Sequence, residues 1–180
     1  MKNSQENVSL KSSRRSPSLV ALLLLVGGLL PWAQSCRQTS QTEVIRDLLR
    51  SVAGLAEKKD PVKIIEHLGD EYRDFEGRDR RQTLSLLEYY FKNYRGIVIH
   101  LLDIYVDINE NRAEVEADVL LSSGPLENLR KLVGLVGVYY RFDFQLEKKE
   151  NRWKISYAAW REVDENSLLP GSRLILKKYL

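Results

Sequence analysis

Four side chains are of types that act as acids, bases or hydrogen-bond partners inside a binding cavity: Tyr72, His100, Tyr140 and Tyr157. His100 is the only one with an intrinsic pKa near neutrality, so it is the candidate general base. Tyr140 and Tyr157 would donate hydrogen bonds beside it, and Phe142 would supply an apolar wall. The competing reading makes His100 a strand residue bonded to backbone, and the tyrosines core residues with satisfied hydroxyls. No carboxylate joins the set. Asp103, Asp107, Glu114, Glu116, Asp118, Asp143 and Glu147 all alternate onto the opposite parity of their strands. Catalytic residues are therefore assigned as none, with His100, Tyr140 and Tyr157 as the alternative. No metal site and no cofactor are expected. The two histidines, His67 and His100, lie on different elements, one cysteine makes no pair, and no glycine-rich phosphate loop is present.

These residues sit on strands that the sequence marks clearly. Val98, His100, Leu102, Ile104, Val106 and Ile108 share one parity. Ala113 to Leu121, Val138 to Leu146 and Trp153 to Ala159 repeat the pattern. Period-two alternation puts one set in a core and the other in water. Short polar connections at Asn109-Glu110-Asn111 and Lys148-Lys149-Glu150-Asn151 predict antiparallel hairpins with one wet face.

Upstream, three helices are expected. Ser40 and Glu43 have capping-box spacing before Val44, Ile45, Leu48, Leu49 and Val52. Asp60-Pro61 starts a second helix that stops near Gly69, and Asp79 starts a third, with Leu84, Leu87 and Phe91. Glu71 to Phe75 is short and extended. Residues 122–137 form an insert, longer than an ordinary hairpin connection. The tail, residues 164–180, is expected to dock on the domain, and its basic end could alternatively meet anionic lipid.

The first 35 residues have a different character. Lys11, Arg14 and Arg15 precede an apolar run from Leu19 to Leu30. Twelve residues suit a signal-peptide core and are short for a membrane span. Ala33-Gln34-Ser35 then leads to Cys36, the one cysteine in the chain. The stretch resembles a bacterial lipoprotein signal peptide, in which a lipobox ends in a lipidated cysteine. Ser35 fits the small residue before the cut, while Ala33 stands where Leu is commonest and Gln34 is larger than usual. An ordinary secretory signal with cleavage at the same bond is the other reading. The resemblance implies a signal peptide at 1–35, lipidation at Cys36, a tether at 36–41, and localisation in the cell envelope. Arg37 follows the cysteine where an inner-membrane retention signal would have Asp. The outer membrane, on its periplasmic side, is thus favoured over the inner membrane.

Charge argues in the same direction. Of 28 basic and 25 acidic residues, four basic and one acidic precede Cys36, leaving 24 of each beyond it. The folded part has no net field to attract nucleic acid, and no nucleic-acid partner is expected.

The order helix, helix, extended piece, helix and long meander resembles the NTF2-like (SnoaL-like, cystatin-like α+β) superfamily. Asp60-Pro61, Glu71-Tyr72-Arg73-Asp74-Phe75, Phe142-Asp143-Phe144, Trp153-Lys154-Ile155 and Trp160 carry the likeness. It implies an α+β cone at 42–163: three N-terminal helices packed in a strongly curved antiparallel sheet. It also implies a pocket lined by Tyr72, His100, Tyr140, Phe142 and Tyr157. The outer sheet face, with Tyr105, Tyr139 and Trp160, would pair two copies into a homodimer. An apolar cone of this kind suits binding an apolar small molecule, a lipid or a protein partner, with an isomerase or dehydratase as the alternative.

Overall fold

The computed structural model describes residues 30–94, 96–123 and 137–179, with side chains described from Ser40 onward. Most of the expected signal peptide and of the 122–137 insert lies outside the described residues. Helix α1 spans Leu30–Glu57. The expected capping box is not used, because Ser40 lies inside this helix rather than at its start. Helix α2 is Pro61–Glu66, with the Asp60 carboxylate accepting from the Lys63 backbone N–H at 3.2 Å. Helix α3 is Arg80–Asn93, opened by a capping box between Asp79 and Gln82. Both caps stand where the sequence placed them, since each satisfies amide donors that the first helical turn leaves unpaired.

Five strands follow one sheet order, β1-β5-β4-β3-β2. They are β1 (Leu68–Asp74), β2 (Ile97–Asn109), β3 (Arg112–Ser123), β4 (Val138–Lys149) and β5 (Arg152–Glu162). The expected antiparallel sheet is in fact mixed. Leu68–Asp74 joins it as a strand parallel to β5, so Gly69 stands in a strand and not at a helix end. Turn chemistry fixes the β4–β5 hairpin: Glu150 and Asn151 both take positive φ, the two-residue turn whose twist matches the strands.

From Gln38 to Leu180 the chain folds as one unit. Its core lies between α1 and the inner sheet face, where Ile45, Leu49, Leu68, Tyr72, Ile104, Val115, Ala117, Leu146, Trp153 and Ile155 are buried. Gln41 ties the helix to the sheet's far hairpin: its Oε1 accepts from Trp153 Nε1 at 3.0 Å and from Lys148 Nζ at 2.9 Å. That bond satisfies an indole donor that is otherwise buried.

Two bulges decide which residues share that core. Leu101 pairs with Val119 but Asp103 pairs with Asp118, so Leu102 is an extra residue in β2. Ile155 pairs with Leu146 but Tyr157 pairs with Gln145, so Ser156 is an extra residue in β5. Each extra residue reverses the inward and outward parity beyond it. Leu101 and Ile104 both pack in the inner core, while Leu102 packs on the opposite face.

The tail docks there, as expected. A 3₁₀ turn at Glu165–Ser167 leads into α4, Pro170–Tyr179. Leu168 and Leu176 are buried with Leu102 and Leu120, against Tyr139 and Val163. Burying each leucine contributes about 2 kcal/mol. Beneath the helix, Asp118 is fully buried. Its Oδ2 accepts from Leu169 N at 2.5 Å and from Ser172 Oγ at 2.7 Å. Gly171 lies so close to the Asp103 carboxylate that a Cβ would collide with it.

Candidate functional site

The pocket drawn from uninterrupted alternation does not assemble. His100 lies before the β2 bulge, opposite Leu120, and is exposed on the outer face. Tyr157 lies next to the β5 bulge, opposite Gln145 and Arg73, on the outer face too. Of the five expected lining residues, Tyr72, Tyr140 and Phe142 remain on the inner face. His100 and Tyr140 lie on opposite faces of the sheet. His100 and Tyr157, though both on the outer face, stand on β2 and β5 with β3 and β4 between them, so neither pairing that an enzyme would need forms.

The same phase change brings other residues inward. Trp160 pairs with Phe142, and Glu162 pairs with Tyr140. Phe144 and Phe142 stack with centroids 5.6 Å apart, and Phe142 and Trp160 at 6.1 Å. Phe75 meets Trp160 edge-on at 4.7 Å. The Arg78 guanidinium lies over the rings of both, 5.9 Å from Phe75 and 5.6 Å from Trp160. Tyr90 of α3 and Tyr94, just past its end, reach the same end, with ring centroids 6.0 Å apart. Tyr140, Phe142, Phe144 and Trp160 are only half-buried, and Tyr90 and Tyr94 are exposed. The result is a row of aromatic rings along one end of the inner face. Period-two reading placed Trp160 outside and did not single out Glu162, because the bulge at Ser156 has no mark in composition.

The polar groups of this face are constrained. Tyr72 is buried, and its hydroxyl is pushed up to about 12, first by that burial and then by the Asp74 carboxylate. Asp74 is buried and fully engaged. Arg78 Nε donates to it at 2.6 Å, and the backbone N–H groups of Arg78 and Glu76 donate at 2.9 and 3.0 Å. Its oxygens are thus already engaged within the domain, by a guanidinium and two amides. Tyr140 is held above the ordinary tyrosine range, chiefly by burial, then by Glu162, Tyr94 and Tyr90. This face suits contact with an apolar body and one or two hydrogen bonds.

The outer face departs from the expected dimer surface. Trp160 is inside, Tyr139 packs with the tail cluster, and of the three named aromatics Tyr105 is left, 60% exposed. Among the described residues no group of three or more His, Cys, Asp or Glu side chains gathers as for a metal ion. Nor is any described helix long and apolar enough to cross a membrane.

No protein-family model and no curated protein matches the chain in sequence. Solved structures do match in shape. The hexachlorocyclohexane dehydrochlorinase LinA-type3 from Novosphingobium barchaimii superposes with a TM-score of 0.59 at 12% identity, covering 72% of this chain and 91% of that one. An NTF2-like protein with a cystatin-like fold from Novosphingobium aromaticivorans gives 0.59 at 14% identity, covering 82% and 96%. A protein of unknown function with a cystatin-like fold from Nostoc punctiforme gives 0.57 at 13%, covering 71% and 95%. At these identities the likeness establishes the fold, an α+β NTF2-like, cystatin-like fold with a curved mixed sheet.

Proposed function

We propose that the chain is a lipid-anchored envelope protein whose NTF2-like domain is a non-catalytic module, binding an apolar small molecule or acyl chain on the aromatic row of its inner face. The row Phe144, Phe142, Trp160 and Tyr140 carries this reading: it is half-buried, continuous and free of any histidine. Ring faces of this kind take planar or aliphatic surface by burial, and the Tyr140 hydroxyl supplies a directional hydrogen bond.

A second reading has its own observations: Glu162 stands opposite Tyr140, and one structural neighbour is named a dehydrochlorinase. Glu162 would then be the base and Tyr140 the proton donor. We favour binding because Glu162 is exposed to water at the end of β5 and is not enclosed where a substrate would be held. The anchoring part follows from the lipobox-like stretch ending in Cys36, with the periplasmic side of the outer membrane as its place.

Native mass spectrometry of the full chain tests the binding reading. A retained apolar ligand, lost in Tyr140→Ala and Trp160→Phe variants that remain folded, is the expected result. Turnover of a halogenated or hydroxylated ring substrate, abolished in Glu162→Gln, would replace it with the enzyme. Anchoring is tested by the mass of Cys36 in protein recovered from membranes. An unmodified thiol, or a Cys36→Ser protein still in the membrane fraction, overturns that part.

A further inference from the structure

Docking of the tail and contact with lipid were alternatives in the sequence, but helix α4 has two faces. Ser172 and Leu176 are buried against the sheet, with Ile175 half-buried beside them. Arg173, Leu174, Lys177 and Lys178 occupy the opposite side, and all four are exposed. At 100° per residue these four fall on one stripe, with Leu174 between the cations. Leu174 is 69% exposed, one of the most exposed large apolar side chains described. No acidic side chain among the described residues pairs with the three cations.

We infer that this outward face of α4 is a contact surface for an anionic bilayer. An apolar side chain ringed by lysine and arginine matches the boundary between headgroups and acyl chains, where the cations meet phosphate and the leucine enters below. Three charges on one short helix neutralise too few phosphates for a nucleic-acid site, and the domain carries no net positive charge beyond Cys36. The sheet side of the helix is fixed by the Asp118 bonds and two buried leucines, so the basic face is presented on a rigid support. Such a patch is weak alone and becomes useful beside a lipid anchor, since stable attachment takes two signals. In this the inference rests on the anchoring reading above. Lys177 and Lys178 would also favour the helix's negative C-terminal end without any lipid, and that simpler role requires nothing of Leu174.

The test uses the full chain carrying Leu174→Trp, mixed with phosphatidylcholine vesicles or with vesicles containing phosphatidylglycerol, each with brominated acyl chains. The expected result is quenching beyond that of the parent chain, in anionic vesicles alone and reversed by salt. Lys177→Gln and Lys178→Gln should each weaken binding to anionic vesicles by roughly five-fold, with the leader unchanged as an internal reference. Lys177→Arg/Lys178→Arg should bind like the parent, which separates charge from folding. Equal quenching in neutral vesicles, no quenching in either, or full affinity of a folded glutamine variant overturns the inference. Loss of the anchor reads out separately, as an unmodified Cys36 mass.

Discussion

Asp118 and Arg141 face each other across β3 and β4, with Arg141 Nη2 2.9 Å from a carboxylate that is fully buried. Arg141 also donates to the Ser167 carbonyl at 2.9 Å. The pair therefore holds the 3₁₀ turn with its guanidinium, while the second Asp118 oxygen caps the entry to α4. Asp118→Ala would leave a mostly buried guanidinium without its partner and two tail donors without an acceptor. Such losses cost about 3–5 kcal/mol. Urea unfolding should show that drop, and limited proteolysis should open the chain near Asp164 to Leu169. A tail still protected in Asp118→Ala would show that Leu168 and Leu176 dock it alone.

The bulges make an opposed pair of predictions at neighbouring residues. Leu101→Ala should destabilise by about 2–4 kcal/mol, because Leu101 packs in the inner core. His100→Ala should stay within about 0.5 kcal/mol, because its side chain is exposed. Uninterrupted alternation would reverse the two. Thermal unfolding of both variants decides it.

Trp160 and Tyr105 form a similar contrast. Trp160→Ala removes contacts to Phe142, Phe75 and Arg78 and should cost about 3 kcal/mol. Tyr105→Ala touches an exposed ring and should be close to neutral. Denaturant midpoints measured in parallel would expose an error if Tyr105 proved the costlier loss.

Stability should fall with pH in two separate windows. His67 is held below the ordinary histidine value, first by burial and then by Lys154. Its unfolded form takes up a proton first, so stability declines as pH drops below about 6.5 and levels off past the folded pKa. His67→Gln should flatten that limb. Asp79 is held below its usual value, first by the Gln82 backbone N–H. Its stabilisation is present above about 3.9 and is lost below that, as pH falls through the folded pKa. Chemical denaturation across acidic pH, with and without His67→Gln, separates the two.

Local chemistry was legible in the sequence at two helix starts and one hairpin, though not at Ser40, which lies inside α1. Asp60 and Asp79 cap helices because their side chains reach amides within three residues. The β4–β5 hairpin ended where Glu150 and Asn151 could take positive φ. Alternation marked four strands. The inner face was another matter. One unpaired residue at Leu102 and one at Ser156 turned His100 and Tyr157 outward and brought Trp160 and Glu162 in. A bulge adds a residue without changing composition, and it is set by how neighbouring strands pair in a curved sheet. The parallel pairing of Leu68–Asp74 with β5, and the burial of Asp118 against Ser172 of a helix 54 residues away, have the same origin. Sequence determined which residues form strands and caps, while only the tertiary pairing of those strands decided which side chains meet inside.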